Sequence, residues 1–262
     1  MLDAFHHEEW WYLSAPTRST CPNHRTVQLR SDILPTRKTD SLLQPHSHDV
    51  EELSQRFTEW ILQLPDRSDE RTKRRLNFTF GRLQSIETTM NGRAWIDLTV
   101  LKDHMLSFDE LFFQGALRPF VKLSIEENIF QDSTGTFVGR SYVIQGPTWT
   151  DLEQGQPFIG IRIWNWSNPS CEGETDPGKR RSFILQTLLH EMVHALITIY
   201  RCRGNACNTT QRIQETRGPE GHGPSWRAIM RAIQRTVSAF EHLEKLVDSA
   251  ALGDDVARYE EL

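Results

Sequence analysis

Two histidines four residues apart, with a glutamate beside the first, interrupt an apolar run in "LQTLLHEMVHALITIY", residues Leu185 to Tyr200. A helix advances about 100° per residue. His190 and His194 therefore share one face a turn apart, Gln186 and Thr198 extend the line, and Glu191 and Thr187 flank it. Imidazoles so placed can converge on one ion. The spacing H-E-x-x-H gives zinc two nitrogen ligands and holds a carboxylate as general base for the water that the ion activates. The plainer alternative is a pair of histidines hydrogen-bonded inside a core.

A catalytic zinc needs a third protein ligand and an open position for water. The stretch "EGHGPSW" offers His222, set between Gly221 and Gly223 and followed by Pro224. Glycine lets the backbone turn sharply there, and proline suits the first turn of a helix. His222 can reach the other two only if the residues between fold back on themselves. Glu215 is the rival third ligand, since carboxylates also bind zinc; His222 is preferred. His104 and His242 sit in expected helices, and His24, His46 and His48 fall in an N-terminal tail, where only His46 and His48 stand at ligand spacing. His6, His7, Glu8 and Glu9 could chelate a metal, but a tail would hold them poorly, and they receive no role.

The elements that must position these groups follow from periodicity. Residues 1–47 mix Pro, Ser, Thr, His and charge and read as a flexible tail. Leu53, Phe57, Trp60, Ile61 and Leu64 recur at helical spacing before Pro65, and a second helix is expected over 70–87. A third runs from about Ile96 to Phe113. Alternating segments then read as strands: "FVKLSIEENIF", "GTFVGRSYVI" and "FIGIRIWNWS". After a loop comes the helix with the histidines, packed on most of its sides by Leu188, Leu189, Met192, Val193, Leu196 and Ile197. A looser insertion over 201–220 and a last amphipathic helix from about Pro224 to Leu246 complete the chain.

Composition narrows the class. The 262 residues are 37% hydrophobic and 25% charged with a net charge of -5, which is ordinary for a globular chain and excludes nucleic-acid binding by bulk charge. Local charge differs. Lys179, Arg180, Arg181, Arg201, Arg203, Arg212 and Arg217 surround the histidine helix, and Arg71 to Arg75 are similarly basic. No apolar run approaches the roughly 18 residues of a membrane span, and the N-terminus lacks a signal-peptide layout, so an intracellular protein is expected. Cys21, Cys171, Cys202 and Cys207 form no C-x-x-C pair, so no zinc ribbon is written; Cys202 and Cys207 are near enough to bridge or share an ion and are read as thiols.

With "TLLHEMVHA" and "GHGPSW" in this order, the chain resembles the SprT-like family of zinc metalloproteases, which includes the Spartan proteases. "LSFDELFFQGAL" looks like the family's helix and turn before its sheet, and the likeness covers about Asp97 to Phe240. It implies a zincin-like α+β fold: a small antiparallel or mixed sheet, an active-site helix and a following helix, preceded by a helical N-terminal region. It implies zinc held by His190, His194 and His222, with Glu191 as catalytic base. The division expected is a tail (1–47), a helical region (48–95), the metalloprotease domain (96–246) and a C-terminal tail (247–262).

Spartan-like members cleave proteins trapped on DNA, which makes protein the expected substrate, DNA a candidate partner through Arg71–Arg75 and Lys179–Arg217, and the nucleus the expected location. Two departures stand out: the gap between the second and third ligands is longer than the family's, and no zinc ribbon follows. By analogy with zincins, the strand Ile159–Trp166 is expected along the cleft edge, holding substrate by main-chain hydrogen bonds. Trp164 and Trp166 either line that cleft or, as large aromatics usually do, belong to the core. The competing functions are a zinc-stabilised binding module without turnover and a zinc peptidase that acts without DNA.

Overall fold

The computed structural model describes residues 24, 25, 27, 29, 43–66, 70–90, 97–126, 130–132, 135–137, 139–144, 158–164, 176–204, 206–207 and 221–258. Three helices come first. Helix α1, Val50–Leu62, starts at Asp49, whose carboxylate accepts the N–H groups of Glu51 (2.9 Å) and Glu52 (3.2 Å) that a first turn leaves open. Its buried stripe is Leu53, Phe57, Trp60 and Ile61. Helix α2, Glu70–Met90, buries Leu76 and Leu83, and helix α3, Leu98–Phe112, is capped by Asp97 on the Val100 N–H.

The turn out of α3 is built around one buried carboxylate. Gln114 (φ 57°) and Gly115 (φ 74°) take the left-handed region, and Asp109 accepts the N–H groups of Leu117 (3.0 Å) and Arg118 (2.9 Å). Burial pushes its carboxyl up to about 7, opposed by those two hydrogen bonds and the Arg118 charge. The chain then enters β1 (Val121–Glu126), a hairpin of β2 (Phe130–Asp132) and β3 (Gly135–Phe137), β4 (Gly139–Val143) and β5 (Ile159–Trp164).

The main sheet is mixed, in the order β1-β5-β4. β1 runs parallel to β5 with Val121 beside Ile159, and β4 runs antiparallel to it with Gly139 beside Ile163. This corrects one expectation. β5 is the central strand, so both of its backbone edges are taken by neighbours, and among the described residues the edge strands are β1 and β4. Trp164 is buried; Trp166 lies outside the described residues.

Helix α4, Pro177–Tyr200, packs on this sheet. Asp176 caps it by accepting the Gly178 N–H at 2.8 Å, and Pro177 occupies its first turn. By length and composition α4 could cross a membrane, contrary to the expectation that no run approached that length; 83% of its apolar window is buried inside the molecule, as in a core helix. The Tyr200 hydroxyl donates to the Ala116 carbonyl at 2.7 Å and ties its end to the α3–β1 turn.

Helix α5 spans Pro224–Ala239 and packs on α1, where the Thr236 hydroxyl donates to the Ile61 carbonyl at 3.0 Å. It stops short of the expected Leu246. Phe240 is extended (φ -120°, ψ 106°), with its ring centroid 4.9 Å from that of Phe80 on α2. A short α6 (Glu241–Glu244) follows. Ser249–Arg258, within the stretch read as a C-terminal tail, forms α7, which buries Leu252 and Val256 against α5. The expected N-terminal tail is also partly docked. His46 and His48 donate their N–H groups to the carbonyls of Ile199 (2.9 Å) and Tyr200 (3.1 Å), and Cys202 N–H donates to the His48 carbonyl at 2.7 Å. One apolar cluster runs from Val27 through α4 to Val256.

Candidate metal centre

The histidine pair on α4 meets the third histidine. The Nε2 atoms of His190 and His194 are 3.1 Å apart, those of His194 and His222 3.1 Å, and those of His222 and His190 2.9 Å. Each ring is buried: 1%, 5% and 3% exposed. Three nitrogens on one tetrahedral zinc stand about 3.3 Å apart, given bonds of about 2.0–2.1 Å. The triangle here is slightly tighter and of the right shape. A proton on one Nε2 can point at only one of its two neighbours, whereas a single cation between them satisfies all three lone pairs, so the donor set fits a metal ion.

Local sequence explains the convergence. α4 supplies His190 and His194 one turn apart. Gly221, at φ 82°, makes the turn that brings His222 in from the head of α5, and Pro224 starts that helix. The chain does fold back as the geometry requires. Beneath the three imidazoles lies Trp226, fully buried, with ring centroids 4.7 Å from His190, 5.5 Å from His194 and 4.6 Å from His222. It stacks on His194 at an interplanar angle of 24°. Sequence reasoning gave Trp226 no role, yet its position one helical turn beyond His222 was the available signal.

Glu191 is buried at 3% exposure and lies toward β4. A Cβ built on Gly139 would stand 3.3 Å from Glu191 Cγ and 3.4 Å from its Oε1, and would collide with Thr187 Cγ2. Gly139 is thus the second residue that the sequence did not flag: only a hydrogen at that position lets the edge strand approach the carboxylate. Ser141 lies on the same face of β4 by strand alternation, and its buried Oγ has no hydrogen-bond partner among the described residues.

The other candidates do not join. His104 is buried in α3, with Nδ1 2.9 Å from the Val100 carbonyl. His48 has a structural role: Nδ1–H donates to the Arg25 carbonyl (2.8 Å) and Nε2 accepts the Gln44 N–H (3.0 Å), a neutral tautomer whose pKa burial lowers. His46 is buried, its pKa held well down by burial and then by the Arg203 and Arg201 charges. Glu215, Arg212, Arg217 and the His6–Glu9 stretch lie outside the described residues. The surface groove lined by Asn77, Phe78, Gly81, Arg82, Ser85 and Ile86 contains none of the site residues.

No curated protein and no solved structure matches the chain. Residues 178–246, which contain α4, His222 and α5, match the SprT-like family. The chain therefore carries a SprT-like family domain at residues 178–246, with the histidine centre inside it.

Proposed function

We propose that the protein is a zinc-dependent endopeptidase. The observation that carries this is the three-donor set: the Nε2 atoms of His190, His194 and His222 converge beside the helix that also holds Glu191, the donor set and neighbouring carboxylate that a catalytic zinc uses. When bound, zinc supplies Lewis-acid chemistry that acidifies a water and polarises the scissile carbonyl. Glu191, next to His190 on the same helix, takes a proton from the attacking water on its carboxylate and returns it to the departing amine as the C–N bond breaks. β4, the edge strand against Glu191, offers the main-chain groups that can hold an extended substrate. Trp226 fixes the ring planes from below.

The substrate class has separate support. The resemblance to Spartan-like proteases suggests DNA-bound proteins, and Lys179 and Arg180 near the head of α4 supply accessible positive charge. The test is a metal-free preparation assayed on an unfolded protein before and after zinc is restored. Cleavage should return with zinc in the wild type and stay absent in His190→Ala; cleavage by metal-free protein contradicts the proposal. Stimulation by single-stranded DNA would favour DNA-bound substrates, and indifference to it a peptidase that acts without nucleic acid.

A further inference from the structure

A second group of metal-ligand types assembles elsewhere. His24 from the N-terminal segment meets Cys202 and Cys207 from the stretch after α4, and their donor atoms all lie within 4.8 Å of one another. His24 Nε2 is 2.9 Å from Cys207 Sγ. Neither cysteine is in a disulfide. We propose that His24, Cys202 and Cys207 bind a second zinc ion, whose role is to clamp the N-terminal segment to the stretch that leaves α4.

The surroundings are built for it. Cys202-x4-Cys207 is a zinc-ligand spacing, and the turn between them is closed by the Cys207 N–H donating to the Gly204 carbonyl at 2.9 Å. The Gly204 N–H donates to Cys202 Sγ at 3.3 Å. The other nitrogen of His24, Nδ1, lies 3.9 Å from Asp49 Oδ2, an ion-pair separation rather than a hydrogen bond. His24 is held in place because Arg25, its neighbour, donates its N–H to Ser47 and accepts from His48. Donors on one tetrahedral zinc stand about 3.3–3.8 Å apart, so binding opens the short His24–Cys207 contact and draws in any pair standing near 4.8 Å, by on the order of an ångström at most. The fourth position of a tetrahedral zinc falls to water or another donor.

This site is independent of the hydrolytic one, and metal content separates them. The full chain, loaded with zinc under reducing conditions and desalted, should contain about two zinc ions per chain by elemental analysis. His190→Ala/His194→Ala should retain about one, and Cys202→Ser/Cys207→Ser should retain the other. Cobalt gives the sharper readout: the wild type and the histidine variant should show a thiolate-to-cobalt charge-transfer band, absent from the cysteine variant. If the cysteine variant fails to fold, His24→Ala should shift that band, and the wild-type spectrum needs no variant at all. One zinc per chain, lost entirely with His190 and His194 and without a thiolate band, overturns the proposal. A thiolate site without a histidine-bound zinc would instead overturn the peptidase reading alone.

Discussion

At the residue scale, placing the carboxylate matters as much as possessing it. Glu191 is fixed between its helix and the backbone of Gly139, with Thr187 one turn before it anchored by donation to the Phe183 carbonyl at 2.9 Å. Gly139→Ala should displace Thr187 and Glu191 without touching a histidine. We expect activity to fall at least about tenfold with bound zinc unchanged, because misplacement of a catalytic group by a fraction of an ångström is costly; kcat/KM beside metal content checks it. His190, His194 and Glu191 were legible because helical spacing sets them on neighbouring lines of one face, and His222 because the glycines around it and Pro224 mark a turn into a helix. Gly139 was not, since nothing in a strand's alternation says which helix residue it will touch.

At the element scale, α7 shows what periodicity misses. "SAALGDDVAR" has only Leu252 and Val256 as large apolar groups one turn apart, too little to announce a helix, yet both are buried. Gly253 faces the Gln234 side chain of α5, whose amide end would have to swing aside for a Cβ there. Leu252→Ala should cost about 2–5 kcal/mol, read from chemical denaturation; an unchanged midpoint would mean the segment is not docked. The same limit explains β5. Its alternation identified a strand, but strand order follows from chain connections: β1 and β4 occupy its two edges, so β5 has no edge left to offer. The helix expected to reach Leu246 ended at Ala239 because Phe240 packs on Phe80, a long-range contact that local spacing does not contain.

At the scale of the whole molecule, folding is linked to pH through Asp109. Its carboxyl is raised from an ordinary 3.8 to about 7, mainly by burial. Between those values the folded chain binds a proton that the unfolded chain does not, so its contribution is full below about pH 4 and lost as pH rises through about 7. Asp109→Asn should remove that slope: the stability difference between wild type and variant should shrink by on the order of a few kcal/mol from pH 4 to 8, measured by urea unfolding. A constant difference would show that the carboxyl titrates normally. The docked N-terminal segment belongs to this scale too. It was unreadable in sequence because main-chain pairing with Ile199, Tyr200 and Cys202, not apolar spacing, holds it.

The central claim is that this centre hydrolyses peptide bonds with Glu191 as base, and Glu191→Gln tests it most directly because it removes the base and leaves the ligands. Protein-cleavage rates of wild type and variant, at equal and measured zinc occupancy, should differ by about 10²–10⁴-fold with folding unchanged. Equal rates at equal zinc would contradict the account.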